Sequence, residues 1–482
     1  MVNRRVNRLI NAIIACCLVG FVVIFLKAPA NEPQIQMGVP AVDKDNGWSP
    51  EEWKQLNKEI ANDTNFIQHA DLSGWSFVQG NATISGEEIV HSMQFLNENF
   101  DVLNTDKFGP PSNVKTILVV QVHNRPAYLQ ILIESMRKTK GIDETLIVFS
   151  HDINVSVINQ MIRNITFARV YQIFYPYNLQ LFPSVYPGQN VKDCPEKFSK
   201  SEAEMLQCRN WKTPDKYGNY RVAKLTQIKH HWWWKMNFVF DGIVDRFQMD
   251  DPWILLLEED HILVPDALHV LNTIIDNKSS FCENCAIISL GYYLKSMNGY
   301  GDDINKLAVQ PWYSSRHNMG MAIQRQTWNV IRDCSTSFCN WDDYNWDWSL
   351  MQVSAKCVSQ RFRVIFAKSP RVLHIGDCGV HTHRCAAHKA LDAAMETILK
   401  HKNALFPSSL VVSVVSRKSL KPSKENGGWG DARDRELCQL NKYPLVRHTS
   451  SEETVLKELL NSKILLNSTP QNNTLRQSSG SL

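Results

Sequence analysis

Three groups of polar side chains stand at positions where chemistry is feasible, because each group directly follows a mostly apolar run. The groups are His123-Asn124-Arg125 after TILVVQV, His151-Asp152 after LIVFS, and Glu258-Glu259-Asp260-His261 after WILLL. Such runs predict strands that are buried on both faces, and ligands of open α/β sheets bind beyond the carboxyl ends of the strands. The three groups are therefore candidate parts of one site.

The acidic group predicts a metal site. A divalent cation relieves the repulsion among Glu258, Glu259 and Asp260, and oxygen ligands suit Mg²⁺ or Mn²⁺. The alternative is a solvated acidic turn, which the position after a buried strand disfavours. A neutral imidazole such as His374 can join carboxylates around Mn²⁺, although a single histidine is more often structural.

Two residues near the other strand ends have both a functional and a structural interpretation. The planar fork of Arg125 can pair with a phosphate or a carboxylate, or it can form an ordinary ion pair near a helix start. Asp152 can accept a hydrogen bond from a base or a sugar hydroxyl, or it can cap the next segment. The residue types leave both choices open.

The segment Trp341–Trp348, WDDYNWDW, combines three Trp, one Tyr and three Asp. Flat rings and carboxylates suit the C–H faces and hydroxyls of a sugar, and an Asp that indoles partly desolvate can serve as a general base. The alternative is an aromatic core with Asp caps. The run KHHWWWK at 229–235 is first interpreted as packing, because three consecutive Trp cannot share one helical face.

The cysteines raise the question of the compartment. Of the 12 cysteines, Cys16 and Cys17 lie in an apolar stretch, and ten lie beyond it. Ten can form five disulfides in an oxidising compartment, although parity does not give the pairing. Cys378, His381, His383 and Cys385 have the ligand types of a zinc site, but a local disulfide is the favoured interpretation. Cys282–Cys285 is interpreted as a small structural loop.

The apolar stretch is Leu9–Leu26, eighteen residues without a charge. This length is at the lower end of what crosses a bilayer. Arginines precede it, at positions 4, 5 and 8, and only Lys27 follows, so the positive-inside tendency keeps the N-terminus cytoplasmic. We expect an uncleaved signal anchor rather than a cleaved signal peptide. Seven Asn-x-Ser/Thr sequons beyond the stretch agree with this interpretation.

The elements that would position these side chains alternate between strand and helix. Strands are predicted at 116–122, 146–150, 170–175, 253–257, 286–290, 364–367 and 371–375, and a helix begins near Pro126. This order predicts an α/β fold with a mostly parallel sheet. The predicted parts are a cytoplasmic tail (1–8), the anchor (9–26), a stem (27–110), a catalytic domain (111–440) and a polar C-terminal tail (441–482).

Composition excludes several classes of protein. Hydrophobic residues make up 44% of the 482 residues, which excludes global disorder. The 52 Lys and Arg nearly balance the 48 Asp and Glu, which argues against a nucleic-acid binder. We predict no nucleic-acid partner, and the sequence predicts no particular oligomeric state.

Several long stretches resemble the N-acetylglucosaminyltransferase II family. They are VVQVHNRPAYL (119–129), FSHD (149–152), TQIKHHWWWK (226–235), LEEDH (257–261), HNMG (317–320), DDYNWDW (342–348), HIGDCG (374–379) and NGGWGDARDRELC (426–438). The resemblance implies a Rossmann-like glycosyltransferase-A fold in a type II Golgi membrane protein whose catalytic domain is luminal. It also implies inverting transfer of GlcNAc from UDP-GlcNAc to the 2-hydroxyl of the α1,6-arm mannose of N-glycans, forming a β1,2 linkage.

The resemblance also implies roles for particular residues. Asp347 would be the catalytic base, Asp260 and His374 would bind Mn²⁺, and Tyr344 and Trp346 are assigned to the acceptor. The donor contacts would be Gln121, Val122, His123, Asn124, Arg125, Asp152, Gln227, Ile228, Lys229, His230 and His231. Ile228 stands where we expect a polar residue. The implied disulfides are Cys194–Cys208, Cys282–Cys285, Cys334–Cys357, Cys339–Cys438 and Cys378–Cys385.

Three alternatives remain from the sequence. The first is an N-acetylglucosaminyltransferase I-like activity on the α1,3 arm with the same donor. The second is a glycoside hydrolase that uses two carboxylates and needs no metal. The third is a membrane-tethered Golgi lectin that binds glycans through the aromatic segment without turnover.

Overall fold

The structure, a computed structural model, describes residues 82–293, 297–376, 387–418, 424–445 and 463–466, together with residues 49, 51, 54 and 460. Within these residues no helix is long and apolar enough to span a membrane. The predicted anchor at 9–26, the predicted pair Cys378–Cys385 and most of the predicted tail lie outside the described residues.

Thirteen strands are numbered here in chain order. They are β1 (Ala82–Ser85), β2 (Thr116–Val122), β3 (Leu146–His151), β4 (Arg169–Phe174), β5 (Trp253–Glu258), β6 (His261–Leu263), β7 (Ile287–Ser289), β8 (Lys306–Pro311), β9 (Met321–Ile323), β10 (Arg363–Ala367), β11 (Val372–His374), β12 (Val411–Val415) and β13 (Lys463–Leu466).

The helices, also numbered in chain order, surround the strands. They are α1 (Gly86–Asn99), α2 (Thr105–Phe108), α3 (Pro126–Arg137), α4 (Ser156–Arg163), α5 (Lys200–Leu206), α6 (Ala223–Phe238), α7 (Ala267–Asp276), α8 (Lys278–Cys282), α9 (Ser314–His317), α10 (Arg325–Asp333), α11 (Ser335–Asn340), α12 (Trp346–Lys356), α13 (Ala387–His401) and α14 (Ala432–Leu440). One turn of π-helix, Val239–Val244, extends α6.

The central sheet has nine strands in the order β12-β8-β10-β7-β9-β5-β2-β3-β4. The pairs β12–β8, β10–β7, β5–β2, β2–β3 and β3–β4 are parallel, whereas β8–β10, β7–β9 and β9–β5 are antiparallel. The fold is therefore mixed α/β with a mostly parallel sheet. A separate small sheet pairs β6 with β11.

Strand β2 is buried on both faces, as its apolar run predicts. Ile117 and Val119 belong to the hydrophobic core on one face of the sheet, and Leu118, Val120 and Val122 to the core on the other. In register, Gln121 lies opposite both Ser150 of β3 and Glu258 of β5. The three strands therefore end at one level, which brings the polar groups that follow them to one edge.

The folded unit begins before the predicted end of the stem at residue 110. Ser85 and Glu88 form a capping box that starts α1, and Ile89, Val90 and Met93 on this helix are buried in the core. Asn97 exchanges two 2.8 Å hydrogen bonds with the backbone of Phe174 at the end of β4. The sequence analysis underestimated this segment because its apolar residues are few and its cap residues look like those of a loop.

Part of the predicted C-terminal tail is also structured. Strand β13 pairs antiparallel with β1, and Leu460 is buried in the same core as Ile89. Ile464 of the predicted tail lies in this strand. Segments that precede and follow the predicted 111–440 domain in the sequence therefore pair with each other.

The described residues contain four of the five implied disulfides, Cys194–Cys208, Cys282–Cys285, Cys334–Cys357 and Cys339–Cys438. The interpretation of the tryptophan run as packing is confirmed, because Trp232, Trp233 and Trp234 on α6 are each no more than 1% exposed. Helix α6 therefore passes through the interior, with nearly every side chain buried.

Candidate active site

Side chains of the acidic group at the end of β5 lie close together in space. Ligand atoms of Glu258, Asp260 and His261 lie within 4.8 Å of one another. The pairing of β6 with β11 sets His374 opposite His261, and His374 Nε2 lies 3.3 Å from Asp260 Oδ2. Two residues distant in sequence, Asp260 and His374, are thus brought together by a short sheet.

The residues of this cluster fit a divalent cation. Asp260 Oδ1 is buried and has no hydrogen-bond partner among the described residues. Gly376 leaves space for the carboxylate, since a Cβ at this position would lie 2.1 Å from Asp260 Oδ2. His261 Nδ1 accepts the backbone N–H of Glu258 at 3.1 Å, which uses the lone pair of a neutral imidazole. Asp260 and His374 are therefore better placed as metal ligands than His261.

Charge keeps Asp260 ionised. Burial alone would raise the pKa of Asp260, but the hydrogen bond with His374 and the guanidinium of Arg125 outweigh this effect and hold the pKa well below its usual range. Arg125 Nη1 donates to Asp260 Oδ2 at 2.8 Å, and Arg125 Nε donates to Glu259 Oε1 at 2.6 Å. Glu259 is itself buried and accepts the backbone N–H of His123 at 2.8 Å, so it ties the end of β2 to the acidic turn.

The ends of β2 and β3 are joined to α6 through Asp152. His123 Nδ1 lies 2.7 Å from Asp152 Oδ1, and Gln227 Nε2 donates to Asp152 Oδ2 at 2.9 Å. The charge of Asp152 raises the pKa of His123 to about 9 against the opposing effect of burial. Asp152 thus does more than cap the next segment, because it links three elements at this edge.

The predicted donor-binding residues separate into two sets. Gln121, His123, Asn124, Arg125, Asp152 and Gln227 lie at or beside the common edge of the strands, where Gln121 Oε1 also accepts from Lys235 Nζ at 2.8 Å. Val122 is fully buried, and Ile228 packs against the core as an apolar residue.

The second set bonds to other parts of the protein. His230 Nε2 lies 3.0 Å from Asp434 Oδ1, His231 Nε2 lies 2.8 Å from Ser150 Oγ, and Lys229 Nζ donates to two main-chain carbonyls of the aromatic segment. These three side chains are enclosed because α6 is interior, which sequence order alone does not reveal.

Asp347, the second residue of α12, has the environment of a general base. Asp347 Oδ1 accepts the backbone N–H of Trp348 at 3.0 Å, and Oδ2 accepts Asn318 Nδ2 at 3.1 Å. Burial, followed by the charges of Glu258 and Asp343, raises the pKa of Asp347 to about 7. A carboxylate with a pKa near neutral pH can accept a proton efficiently.

The other two aspartates of this segment are structural caps. Asp343 is fully buried and accepts N–H groups from Asn345 and Asn426. Asp342 accepts the backbone N–H groups of Lys216 and Trp429. The alternative interpretation of the segment, Asp caps around an aromatic core, therefore describes Asp342 and Asp343 but not Asp347.

The rings of this segment are largely part of the core. Trp346 stacks on Trp232 with ring centroids 4.4 Å apart and planes 5° from parallel, so one of its faces is covered. Tyr344 is buried beside Gly428, where an added Cβ would lie 3.0 Å from its ring. The acceptor roles of Tyr344 and Trp346 stay predictions, and packing accounts for most of their surface.

Two residues that the sequence analysis did not select lie at the site. Asn318 hydrogen-bonds Asp347 and has a buried Oδ1 without a partner among the described residues. Tyr293, 52% exposed, lies edge-to-face with His374 at 5.8 Å between centroids. Partial desolvation and the charges of Glu258, Asp260 and Asp347 raise the pKa of Tyr293. Its position just beyond β7 was the signal that could have identified it.

Comparison with known proteins agrees with this chemistry. A sequence model of the family N-acetylglucosaminyltransferase II (MGAT2) matches residues 90–438. Three proteins called alpha-1,6-mannosyl-glycoprotein 2-beta-N-acetylglucosaminyltransferase are similar to this chain. The Rattus norvegicus protein is 41% identical over 363 residues and the Homo sapiens protein 40% over 364 residues, each match covering 74% of this chain and 80% of the relative. The Arabidopsis thaliana protein is 30% identical over 363 residues, covering 73% and 80%.

One solved structure, the apo form of mouse xyloside xylosyltransferase 1, aligns with 45% of this chain and 69% of its own length at 13% identity. Its TM-score of 0.21 is too low to support any argument.

Proposed function

This chain belongs to the N-acetylglucosaminyltransferase II family, and we propose that the site between Asp260 and Asp347 performs the family's reaction with UDP-GlcNAc as donor. The chain is a glycosyltransferase of N-glycan maturation that adds GlcNAc to the mannose of the α1,6 arm. The observation that supports the assignment of this site is a buried carboxylate whose pKa is raised to about 7 by burial and by the charge of Glu258, a member of the cluster that could hold a cation.

Asp347 would accept the proton of the 2-hydroxyl of the acceptor mannose. A sugar hydroxyl is a poor nucleophile until a positioned base removes its proton, and burial keeps the Asp347 carboxylate basic enough to do so. Asn318 donates to Asp347 Oδ2, so it would orient the carboxylate toward the acceptor. A single displacement then inverts the anomeric centre and forms the β1,2 linkage without a covalent enzyme intermediate.

Asp260 and His374 would hold Mn²⁺, which as a Lewis acid would offset the charge that develops on the diphosphate leaving group. The buried Oδ1 of Asp260 and the proximity of His374 support this ligand set. Arg125 neutralises the acidic turn, and its positive charge would attract the donor's phosphates. Asp152 and Gln227 would receive the nucleoside.

We propose a glycosyltransferase-A arrangement for the fold and a luminal Golgi location for the catalytic domain, held by the anchor at 9–26. The parallel strands β5, β2, β3 and β4, with the site beyond their carboxyl ends, support the fold assignment. The four disulfides support an oxidising compartment. The catalytic unit would begin near Ala82, with the stem before it.

The test uses the full-length chain in detergent with UDP-GlcNAc, Mn²⁺ and an N-glycan that already carries GlcNAc on its α1,3 arm. We expect release of UDP and a product with GlcNAc β1,2-linked to the α1,6-arm mannose, identified by NMR. EDTA should abolish transfer and Mn²⁺ should restore it.

Other outcomes would contradict the proposal in distinct ways. Glycan binding without UDP release would indicate a lectin, and activity that survives EDTA with loss of terminal sugars would indicate a hydrolase. A product extended only on the α1,3 arm of an acceptor without GlcNAc would indicate an N-acetylglucosaminyltransferase I-like enzyme.

A further inference from the structure

Lys229 is a fully buried lysine in the middle of α6 whose ammonium group lies against the base segment. Lys229 Nζ donates to the main-chain carbonyls of Trp341 and Asp343, each at 3.0 Å. It also lies 4.2 Å from the ring centroid of Trp429 and 5.1 Å from that of Phe338. Desolvation of a lysine is unfavourable, so a buried lysine persists where its contacts compensate for the lost water.

The two carbonyls belong to the turn that leads into α12. Asn345 makes no side-chain cap bond at the start of this helix, so the helix start depends on the turn before it. Ser349 Oγ lies 3.0 Å from the carbonyl of Asn345 and 3.3 Å from that of Asp343, so its hydroxyl ties the turn to the first helical residues. Asp347 follows this turn directly, and its position is therefore set by where the turn lies.

We propose that Lys229 is a positioning residue for the catalytic base: it holds the turn Trp341–Asn345 on α6 and thereby fixes Asp347, and it makes no contact with the donor. This inference rests on the proposed function of the site. It differs from the role in donor binding that the family resemblance implies for Lys229.

Two further contacts favour this assignment. The neighbouring face of α6 reaches the donor side, where Gln227 donates to Asp152 and Lys235 donates to Gln121. Lys229 points instead to the base segment. One rigid helix thus sets the distance between the two halves of the site. Burial lowers the pKa of Lys229 to about 7, and even the neutral amine keeps two N–H donors for its two carbonyls.

The test is Lys229→Met in the full-length enzyme, which keeps the length of the side chain and removes the donors. We expect kcat to fall about 10- to 100-fold, because a misplacement of ~1 Å at a catalytic group has an effect of that size. The dissociation constant of UDP in the presence of Mn²⁺, measured by calorimetry, should stay within about twofold of the wild-type value, since the donor edge is untouched.

Asn237→Ala is the matched control on the same helix. Asn237 is also fully buried, donates to the carbonyls of Trp233 and Asn441, and accepts from Trp328 Nε1, all away from the site. We expect this variant to lower the melting temperature with kcat unchanged below the transition. A loss of kcat in Lys229→Met no larger than in Asn237→Ala would overturn the proposal.

Two other results separate the proposal from its alternatives. A weakened UDP affinity with unchanged kcat in Lys229→Met would show that Lys229 contacts the donor, and would also overturn it. If Lys229→Met does not fold, Ser349→Ala tests the same turn from the α12 side, with a smaller fall in kcat expected and an unchanged kcat contradicting the role of the turn. Absence of transfer by the wild-type enzyme would refute the proposed function instead.

Discussion

The two halves of the proposed active site, a donor side and a base side, are positioned by different means. On the donor side, Gln121, Asp152 and Asp260 lie at or just beyond the ends of adjacent strands, and backbone register brings them level. On the base side, the turn before Asp347 is held by partners that are 83 to 126 residues away in sequence, Lys216, Lys229 and Asn426, and by the disulfide Cys339–Cys438.

This difference has a practical consequence. A strand ladder tolerates the loss of one side chain because its backbone hydrogen bonds remain. A turn that is held by side-chain hydrogen bonds to three distant segments moves when one of these bonds is lost. Substitution of a residue that takes no part in the reaction should therefore lower activity more on the base side than on the donor side. This contrast can be tested.

The largest effect is expected at the base itself. Asp347→Asn should lower kcat by about 10³-fold or more, because an amide cannot accept the acceptor's proton. UDP affinity in the presence of Mn²⁺ should stay within about twofold, since the Asp347 carboxylate forms its hydrogen bonds with Asn318 and Trp348 and not with the predicted donor-binding residues. Transfer assays and calorimetry on the same preparation measure both. Turnover close to wild type would remove Asp347 as the base.

The disulfides provide the next comparison. Cys339–Cys438 closes a separation of 99 residues, and Cys282–Cys285 one of 3 residues. In the chain-entropy relation, removing the first by Cys339→Ala with Cys438→Ala should lower the free energy of unfolding by about 5 kcal/mol, and removing the second by about 2 kcal/mol. Denaturant unfolding measures both.

The activity of the two disulfide variants sharpens the contrast. Loss of Cys339–Cys438 should also lower kcat in the folded fraction, because this bond anchors α11 immediately before the base segment. Loss of Cys282–Cys285 should leave kcat unchanged. Equal kcat values in the two variants would contradict the view that the base side depends on long-range contacts.

One substitution on the donor side could contradict this contrast, because Gly376 is closely packed against Asp260. In Gly376→Ala the new methyl carbon would lie only 2.1 Å from Asp260 Oδ2, so the carboxylate would have to move. We expect Mn²⁺ affinity to fall about 10- to 100-fold, as it does when residues that orient a metal ligand are changed. Calorimetry in the presence of UDP, or electron paramagnetic resonance of Mn²⁺, measures this affinity. Affinity within about twofold of wild type would place the metal away from Asp260.

The smallest effect concerns pH. Because the pKa of Asp347 is raised to about 7, the carboxylate is increasingly protonated below pH 7 and cannot act as a base. At saturating substrates, kcat should therefore fall about tenfold for each pH unit below 7 and level off above it. A flat kcat between pH 5.5 and 8 would contradict the assignment of the base.

Most of the strands could be predicted from the sequence. The apolar runs that became β2, β3, β4, β5, β7 and β10 were predicted to within about two residues. Strands β8, β9 and β12 were not, because β9 has three residues, β8 ends in Pro311, and exposed β12 has no alternating pattern. The segment Arg371–Ile375 does form a strand, but it pairs with β6 outside the central sheet.

The residues of the candidate site were predicted less completely than the strands. The residue patterns indicated an acidic triplet after a buried strand and an Asp among indoles, and the family resemblance then selected Asp260 and Asp347. Asn318 and Tyr293 were missed because neither residue type is rare at a surface. The resemblance implies donor roles for Lys229 and His230 because the matched stretch is continuous, and these roles stay predictions. In the structure, the helix turns successive side chains toward different neighbours.

By itself, the sequence determined which segments form the long buried strands, which residue types can bind a cation or accept a proton, and which family the chain resembles. These properties depend on local composition and short-range periodicity. Only the tertiary structure decided that His374 meets Asp260, that Lys229 faces the base segment, and that Asp342 and Asp343 are caps while Asp347 is not. Such outcomes depend on contacts between residues about 100 apart, which no local pattern encodes.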